Sequence, residues 1–487
     1  MCEKRHFHLW AVPILWFQSL KRYFYLFIFL FVHSGFRGES SWIGYGIFFV
    51  VFGIFAVIRY LSAYYAVTPE KIIIYKGIFR KSEIDISYER IQTIKQTQWF
   101  FFKPFQITRL VIETAGGSSN KAEAILPAVP ESILAVIESY RKKECLFAQD
   151  GLSEELAVQH STYATKESIA SNVTYQVTNQ EIILFGLTDL GILVSTFALL
   201  TVVKDSVSLT LLEQSATLIQ TSLVVGVALV LGILLLIILF SLFKSFIHYY
   251  KFQVTREGNT FIVESGLLER RVQKIPIEKI QGIKISQQLF RRLFRLYSVE
   301  LLIAGGQEKS EETSSNKNIY LVPILSRKML FEVLGALLPE WRFSQPEFQY
   351  TSQGYLWYFC RWFVLLGIVG TAVACYFNSM IGLILGILVG IVLGSKWIES
   401  RQQGYQIQRN QQLWIQKVTL TTRYFFIFQQ KKVQSFTESS SYWLHKKSIG
   451  HLSVTIKKGN GRSSIHLPFI HVTDIEVIKQ FLLSQTK

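Results

Sequence analysis

The segment at residues 222–243 carries no charged side chain and is long enough to cross a lipid bilayer. It contains valine, leucine, isoleucine, alanine and phenylalanine, relieved only by serine and glycine. A spanning helix needs about 20 mostly apolar residues, and most of these side chains favour insertion by about 0.3 to 0.6 kcal/mol each at the helix centre. The segment therefore predicts a transmembrane helix in an integral membrane protein.

Five other apolar windows bring the predicted number of spanning helices to six. The windows form pairs with short connections near residues 17–60, 183–247 and 356–398, so each pair predicts a helical hairpin. The first window is rich in aromatic residues and carries Lys21 and Arg22 near its start, which we expect to snorkel to the interface. The five windows are residues 17–32, 42–58, 183–203, 356–377 and 380–394.

Charges beside the hairpins predict which side of the membrane the soluble segments occupy. A hairpin returns the chain to its starting side, so all large soluble segments are expected on one face. The connections within the hairpins are nearly neutral, whereas the opposite flanks are basic, and the positive-inside rule then predicts a multi-pass protein with cytoplasmic termini and soluble segments. The flanking residues are Lys4, Arg5, Lys21, Arg22, Arg59, Lys244, Arg361 and Lys396.

The net charge of +17 suits an anionic partner, which is either nucleic acid or a membrane surface. The apolar windows make the membrane the simpler partner. Residues 401–487 are especially basic, with 13 Lys and Arg against 3 Asp and Glu. Contact with the anionic inner leaflet and simple compliance with the positive-inside bias both explain that density. No helix-turn-helix, stacking platform or zinc finger supports nucleic-acid binding, so none is predicted.

The soluble segments repeat one another. Arg90-Ile91-Gln92 of the first copy corresponds to Lys279-Ile280-Gln281 of the second, and the offset of 189 residues persists from Gly77/Gly266 to Gly117/Gly306. A third, more divergent copy carries Lys432-Val433-Gln434 at an offset of 342 from the first. The repeated core motif therefore comprises Arg90, Gln92, Lys279, Gln281, Lys432 and Gln434.

Each copy is predicted to be mainly β-sheet with one C-terminal helix. Runs of β-branched or aromatic residues at 72–75 and 261–263 predict strands, and an amphipathic helix follows each Leu-Pro or Val-Pro. This order suggests a small β-sandwich or partly open barrel capped by the helix. The predicted organisation is 1–61, N-terminus and first hairpin; 62–146, first domain; 147–181, polar linker; 182–247, second hairpin; 248–345, second domain; 346–399, third hairpin; and 400–487, third domain.

The repeated pattern resembles the bacterial membrane-associated pleckstrin-homology-like (PH-like) domain family of the YdbT type. The resemblance is carried by Tyr88-Glu89-Arg90-Ile91-Gln92 through Ala115-Gly116, and by Ile277-Glu278-Lys279-Ile280-Gln281 through Ala304-Gly305. It covers most of the chain, including the order of hairpin and then domain. The resemblance implies three PH-like domains on a bacterial cell membrane and a smaller companion membrane protein with one such domain. The family is not defined by a catalytic site.

The stretch after each core motif mixes aromatic and basic residues. One interpretation is a wedge whose Phe and Leu enter the headgroup region while basic side chains meet anionic lipid, each contributing about 1 kcal/mol. The alternatives are that the apolar residues are core and the charges merely solvated, or that the stretch binds another protein. The predicted lipid or partner surface comprises Arg291, Arg292, Phe294, Arg295, Lys103, Phe105, Lys446 and Lys447.

These patterns favour a non-enzymatic membrane scaffold or binding protein that presents PH-like domains to a membrane partner and to anionic lipid. The alternative is a six-helix transporter, channel or lipid-handling protein, for which Asp189, Ser195, Thr196 and Asn378 are the candidate polar residues in or beside the windows. No residue set forms a catalytic constellation, and the histidines and cysteines lack metal-ligand spacing, so no enzyme activity, cofactor or metal is predicted.

Overall fold

The structure is a computed structural model of the chain. It describes residues 4–23, 25, 41–78, 81–114, 124–150, 173–188, 223–304, 319–408, 410–419, 421–459 and 461–484. The Ala-Gly-Gly segments at 115–117 and 304–306 lie mostly outside these ranges, and the candidate polar residues Asp189, Ser195 and Thr196 lie wholly outside them.

Three strand-rich units, residues 64–150, 253–337 and 404–483, each contribute strands to two antiparallel sheets. In each unit three strands form a first sheet and the next three form a second sheet, and a short strand that precedes the unit pairs with its first strand. The strands of unit 1 are β1 (Arg5–His6), β2 (Tyr64–Val67), β3 (Lys71–Lys76), β4 (Ser82–Ser87), β5 (Ile91–Trp99), β6 (Ile107–Thr114) and β7 (Ala124–Pro130).

The other two units repeat this order. Unit 2 has β8 (Val173–Gln176), β9 (Gln253–Glu257), β10 (Thr260–Ser265), β11 (Glu269–Pro276), β12 (Ile280–Gln288), β13 (Leu296–Ile303) and β14 (Ile319–Ser326). Unit 3 has β15 (Gln349–Tyr350), β16 (Gly404–Gln408), β17 (Gln412–Thr419), β18 (Thr422–Gln429), β19 (Val433–Ser439), β20 (Ile449–Lys458) and β21 (Gly461–His471). Strand β8 thus lies within the segment that the sequence predicts as a linker.

Helices occupy equivalent places in the three repeats. In chain order they are α1 (Ala11–Arg22), α2 (Ser41–Leu61), α3 (Ser132–Asp150), α4 (Asn179–Leu187), α5 (Leu223–Tyr249), α6 (Leu289–Leu293), α7 (Arg327–Leu337), α8 (Leu356–Phe377), α9 (Ser379–Gln402), α10 (Tyr442–His445) and α11 (Val472–Leu483). Three-residue 3-10 helices precede β5, β12 and β19, and a 3-10 helix at Phe100–Phe105 takes the place of α6 and α10 in unit 1.

Backbone geometry confirms the sequence repeat. The residues Gln106, Arg295 and Ser448 are all left-handed, with φ of 51°, 54° and 54°, and they stand at the offsets of 189 and 342. Each carbonyl of these residues accepts the N–H at the start of the following helix, from Glu131, Arg327 and Val472 respectively. The same strained residue therefore ends the same short helix in every unit.

Adjacent units are joined by shared sheets. Strand β5 of unit 1 pairs with β11 of unit 2, and β12 of unit 2 pairs with β18 of unit 3, so that two seven-stranded sheets form. We call these pairings junction 1 and junction 2. The second sheet of one unit thus continues into the first sheet of the next.

Junction 2 is also a packed core. The cluster around unit 2 includes Trp414 and Ile427 of unit 3, and the cluster of unit 3 includes Leu302 of unit 2. Gly282 lies so close to Phe428 that an added Cβ would stand 2.6 Å from the ring. Close packing of apolar side chains across shared strands couples the units energetically.

The prediction of six spanning helices is wrong for the part of the chain that the structure describes. Two helices there, α8 and α9, are long and apolar enough to cross a membrane. They pack as a hairpin. Only 11% of the apolar stretch of α8 and 6% of that of α9 is buried by other parts of the protein. A Cβ on Gly367 would come 2.5 Å from Val389, so the close approach of these helices requires a small residue.

The other predicted windows give shorter apolar helices in the described residues. Helix α1 has 12 residues and α4 has 9, so at 1.5 Å per residue each is well under the roughly 30 Å of bilayer hydrocarbon. Helices α2 and α5 are longer, but their described apolar parts, Phe48–Leu61 and Ile238–Tyr249, do not reach a spanning length. Residues 24 and 26–32 of the first predicted window and residues 189–203 of the second hairpin lie outside the described residues.

Candidate membrane-contact surface

Each unit carries a short segment of helix between the first two strands of its second sheet. We call residues 99–106, 288–295 and 441–448 the short-helix segments; they stand at the same offsets as the rest of the repeat. Each segment ends at the left-handed residue described above, because the chain must reverse there to enter the next strand. The sequence prediction of an aromatic and basic stretch after each core motif falls on these segments.

Large apolar side chains of these segments face outward. Phe105 is 53% exposed, Leu293 is 76% exposed and Trp443 is 76% exposed. Each segment also buries one anchor, Phe102 in unit 1 and Leu444 in unit 3, at 1% and 4% exposure. The exposed side chains are therefore separate from the residues that hold the helix to its unit.

Most of the predicted basic side chains lie on the same exposed segments. Lys103, Arg292, Arg295, Lys446 and Lys447 are all exposed. Lys446 lies 4.7 Å from the ring centroid of Tyr442, within its own segment. Exposed aromatic rings beside ammonium and guanidinium groups are the composition of a membrane-interface surface, since the rings enter the headgroup layer and the cations meet phosphate.

Arg291 is not part of that surface, because it is only 2% exposed. Its Nε donates to Oγ1 of Thr188 at 3.2 Å, and its Nη1 donates to Oγ of Ser298 at 2.6 Å. The guanidinium also lies 4.3 Å from the ring centroid of Phe185. Arg291 therefore ties the short-helix segment of unit 2 to α4, and the predicted surface of this unit rests on Arg292, Phe294 and Arg295.

All three segments lie beside the first helix of their own repeat. In unit 1, Trp10 packs on Phe105 and Phe102, with ring centroids 5.4 and 5.9 Å apart. In unit 2 the link is Arg291 to Thr188, at the end of α4. In unit 3, Nζ of Lys447 lies 5.7 Å from the ring centroid of Tyr358, near the start of α8. The short-helix segments thus lie near the start of α1 in unit 1, at the end of α4 in unit 2 and near the start of α8 in unit 3.

The repeated core motif lies where the chain passes from the first sheet to the second. Arg90, Lys279 and Lys432 end the 3-10 helices, and the glutamines follow in the long strands. The carbonyl of Lys279 accepts from Gln281 Nε2 at 3.2 Å, so this part of the motif is structural. Gln434 is exposed on β19, and the side chain of Gln92 lies outside the described set.

Lys432 also makes a contact between units. Its Nζ donates to the carbonyl of Glu278 at 2.8 Å, within the 3-10 helix of unit 2. Burial and the neighbouring Lys431 lower the pKa of Lys432. The motif therefore supports the passage between sheets and the junction rather than the short-helix surface.

Two other polar residues have structural partners. Asn378 caps α9, where its Oδ1 accepts from the backbone N–H of Met380 at 2.9 Å, as the N-cap position favours. His451 accepts from the N–H of Phe469 at 3.2 Å through Nδ1, and burial lowers the pKa of His451. Among the described residues, no group of three His, Cys, Asp or Glu side chains could hold a metal ion.

The sequence-based site omits several of the most exposed apolar residues of this surface. The predicted surface included two apolar residues, Phe105 and Phe294. Four others are at least as exposed as these: Phe100 at 58%, Tyr442 at 68%, and Leu293 and Trp443 at 76% each. The signal that could have found them is the position within the repeat, since Phe100 and Tyr442 correspond at an offset of 342.

Comparison with known proteins agrees with the architecture described above. The family model for the bacterial PH domain matches residues 19–143 and 199–327, which is more than half of the chain. The chain belongs to the bacterial PH domain family. The first matched region begins within α1 and ends within α3, and the second ends at Arg327, the first residue of α7. Unit 3 lies outside the matched residues, and it shares their strand order.

One relative covers most of the chain. The UPF0699 transmembrane protein YdbT of Bacillus subtilis (strain 168) is 24% identical over 445 residues, which is 89% of this chain and 86% of that protein. No solved structure matches. The match to a transmembrane protein and the spanning length of α8 and α9 together place this bacterial PH domain protein at a membrane.

Proposed function

We propose that this protein is a non-enzymatic membrane scaffold that presents its PH-like units at the cytoplasmic face of a bacterial cell membrane. Its short-helix segments bind anionic lipid at that face, and its sheets present surfaces to a membrane partner. A smaller companion protein with a single PH-like domain is the partner that the family resemblance favours. The observation that carries the proposal is the recurrence of exposed aromatic and basic side chains beside the hairpin in all three units.

The arrangement suits a scaffold because the units are rigidly coupled. Two shared sheets fix the units in a row, so the three short-helix segments keep constant spacing. Basic residues near an anionic leaflet contribute about 1 kcal/mol each, which is weak singly but adds up across a rigid row. The cytoplasmic orientation is supported by the basic residues at the hairpin flanks, including Arg59, Lys244 and Lys396.

Removing the two lysines of the third segment should weaken its contact with anionic lipid. In nanodiscs that contain phosphatidylglycerol, we expect residues 441–448 to take up deuterium more slowly than in nanodiscs of phosphatidylcholine alone. The double variant K446Q/K447Q should lose most of this protection, because two lost charges correspond to about 2 kcal/mol, or roughly 30-fold in binding.

The matched control is K457Q/R462Q, which removes the same charge from the other end of β20. Lys457 and Arg462 face each other across the β20–β21 turn, some 30 Å from the short-helix segment at about 3.4 Å per residue. That control should keep the protection of residues 441–448. Equal deuterium uptake by residues 441–448 in both kinds of nanodisc would contradict lipid binding by this surface.

A further inference from the structure

The two end units each leave a sheet edge unpaired in the described residues, and these two edges are complementary to each other. Strand β4 closes the four-stranded sheet β1–β4 of unit 1, and β19 closes the three-stranded sheet β19–β21 of unit 3. In the described residues, each of these edge strands is paired on one side only. Their counterparts in the repeat are β11 and β18 for β4, and β5 and β12 for β19, which are the strands that form the two junctions.

Both internal junctions use the same register. Lys95 faces Gln273 in junction 1, and Lys284 faces Phe426 in junction 2. Lys95 and Lys284 are equivalent at an offset of 189, and Gln273 and Phe426 are both equivalent to Ile84. A third junction in this register would pair β19 with β4 and complete another sheet of seven strands.

One pair of positions across each junction is chemically matched. In junction 1, Lys274 of β11 forms an ion pair with Glu138 of α3, with Nζ and Oε1 2.7 Å apart. Glu138 lies seven residues after Glu131, and the N–H of Glu131 donates to the carbonyl of the left-handed Gln106. This hydrogen bond recurs in all three units, so it fixes which helix residue is equivalent to Glu138. In junction 2 the equivalent residues are Ile427 and Leu334, and both are buried in one apolar cluster.

At the chain ends the same two positions hold opposite charges. The equivalent of Lys274 is Asp85 on β4, and the equivalent of Glu138 is Lys479, seven residues after Val472. Both side chains are exposed, and Asp85 also contacts Lys71 at 2.5 Å. The charges of junction 1 are thus exchanged, with the cation on the helix and the acid on the strand.

We propose that a second copy of this chain adds its β19 edge to the β4 edge, so that molecules associate head to tail along the membrane. The occupant is a second copy because one chain carries both kinds of edge and both halves of the matched ion pair. Such an interface uses two different surfaces, so it generates rings or rows rather than closed two-fold dimers. Strand addition gives affinity through backbone hydrogen bonds and specificity through side chains such as Asp85 and Lys479.

One pair in this register opposes association. Glu438 of β19 would face Glu83 of β4, and like charges directly opposite destabilise a strand pair. Both are exposed in the single chain. Association is therefore weak at low protein density, and the variant E438Q should increase it.

Cysteine cross-linking in native membranes tests the register on the full chain. In a background where Cys2, Cys145, Cys360 and Cys375 are replaced, S82C/S439C should form disulfide-linked dimers and larger multimers, because these residues would be directly opposed. The pair S82C/S435C is displaced by four residues, about 14 Å along the strand, and should not cross-link. The positive control is T97C/R271C, the equivalent pair within junction 1, which should cross-link inside one chain.

Charge exchange tests the matched pair. D85K and K479E should each lower the cross-linked fraction of S82C/S439C by about five-fold, since each replaces an attraction with a repulsion of up to about 1 kcal/mol. Combining D85K with K479E in one chain recreates the Lys–Glu pair of junction 1 and should restore the wild-type fraction. K479E leaves β4 untouched, so it tests the pair even where D85K disturbs unit 1.

The proposal is overturned if T97C/R271C cross-links while S82C/S439C yields only monomers, both alone and when E438Q is added to the same chain. It is also overturned if S82C cross-links to a different polypeptide and never to a second copy. Loss of lipid protection in the nanodisc experiment would leave these outcomes unchanged, because the edges do not include the short-helix segments.

Discussion

Replacing Arg291 with alanine should destabilise the protein by about 3 kcal/mol or more. The change removes two charge-assisted hydrogen bonds, to Thr188 and Ser298, and a buried contact with the ring of Phe185. Hydrogen bonds to charged groups contribute about 1.5 to 3 kcal/mol, and the variant leaves a cavity where a buried side chain stood. Thermal unfolding of the full chain in detergent, followed by intrinsic fluorescence, should show a midpoint lower by about 3 °C or more.

The neighbouring arginine provides the matched control. Arg292 is exposed, so R292A should change the free energy of unfolding by no more than about 0.5 kcal/mol and leave the midpoint nearly unchanged. R291K should fall between the two, because a lysine keeps the charge and loses the planar fork that bonds two hydroxyl groups. Equal midpoints for R291A and R292A would show that the link between α4 and unit 2 contributes nothing to stability.

Individual strands, turns and terminal helices could be predicted from the sequence because their information is local and repeated. Strand runs such as Ile72–Tyr75, the turn at Gly77 and the terminal helix are encoded within short windows, and the repeat offset aligned them. The shared sheets could not be predicted, since the partner of an edge strand lies in another unit. Nothing in the local pattern of β5 distinguishes an exposed edge from one that pairs with β11.

Two errors have physical causes. Six apolar windows were predicted as spans because hydropathy does not fix the length of a helix, and in the described residues only α8 and α9 have a spanning length. Arg291 was assigned to the surface because Arg291, Arg292 and Arg295 share one basic run. Consecutive side chains on an α-helix point about 100° apart, so Arg291 faces the core while Arg292 faces outward.

Replacing Gly282 with threonine should weaken junction 2 by about 2 to 4 kcal/mol. A Cβ at this position would stand 2.6 Å from Cδ1 of Phe428 and 3.0 Å from the carbonyl of Ile427, so the strands must move apart. Overpacking of a buried site costs about 1 to 3 kcal/mol, and the displaced ladder adds to this. The melting midpoint should fall, and limited proteolysis should cleave more readily between units 2 and 3.

Junction 1 supplies the design for a rescue. The equivalents of Gly282 and Phe428 there are Thr93 and Ile275, so the smaller Ile275 coexists with a β-branched residue. F428I alone should cost about 1 to 2 kcal/mol, because Phe428 is fully buried in the core of unit 3. The double variant G282T/F428I should be more stable than the sum of the two changes, with a coupling free energy of at least about 1 kcal/mol. Strict additivity would mean that the two positions do not meet across the junction, and that the units are held together elsewhere.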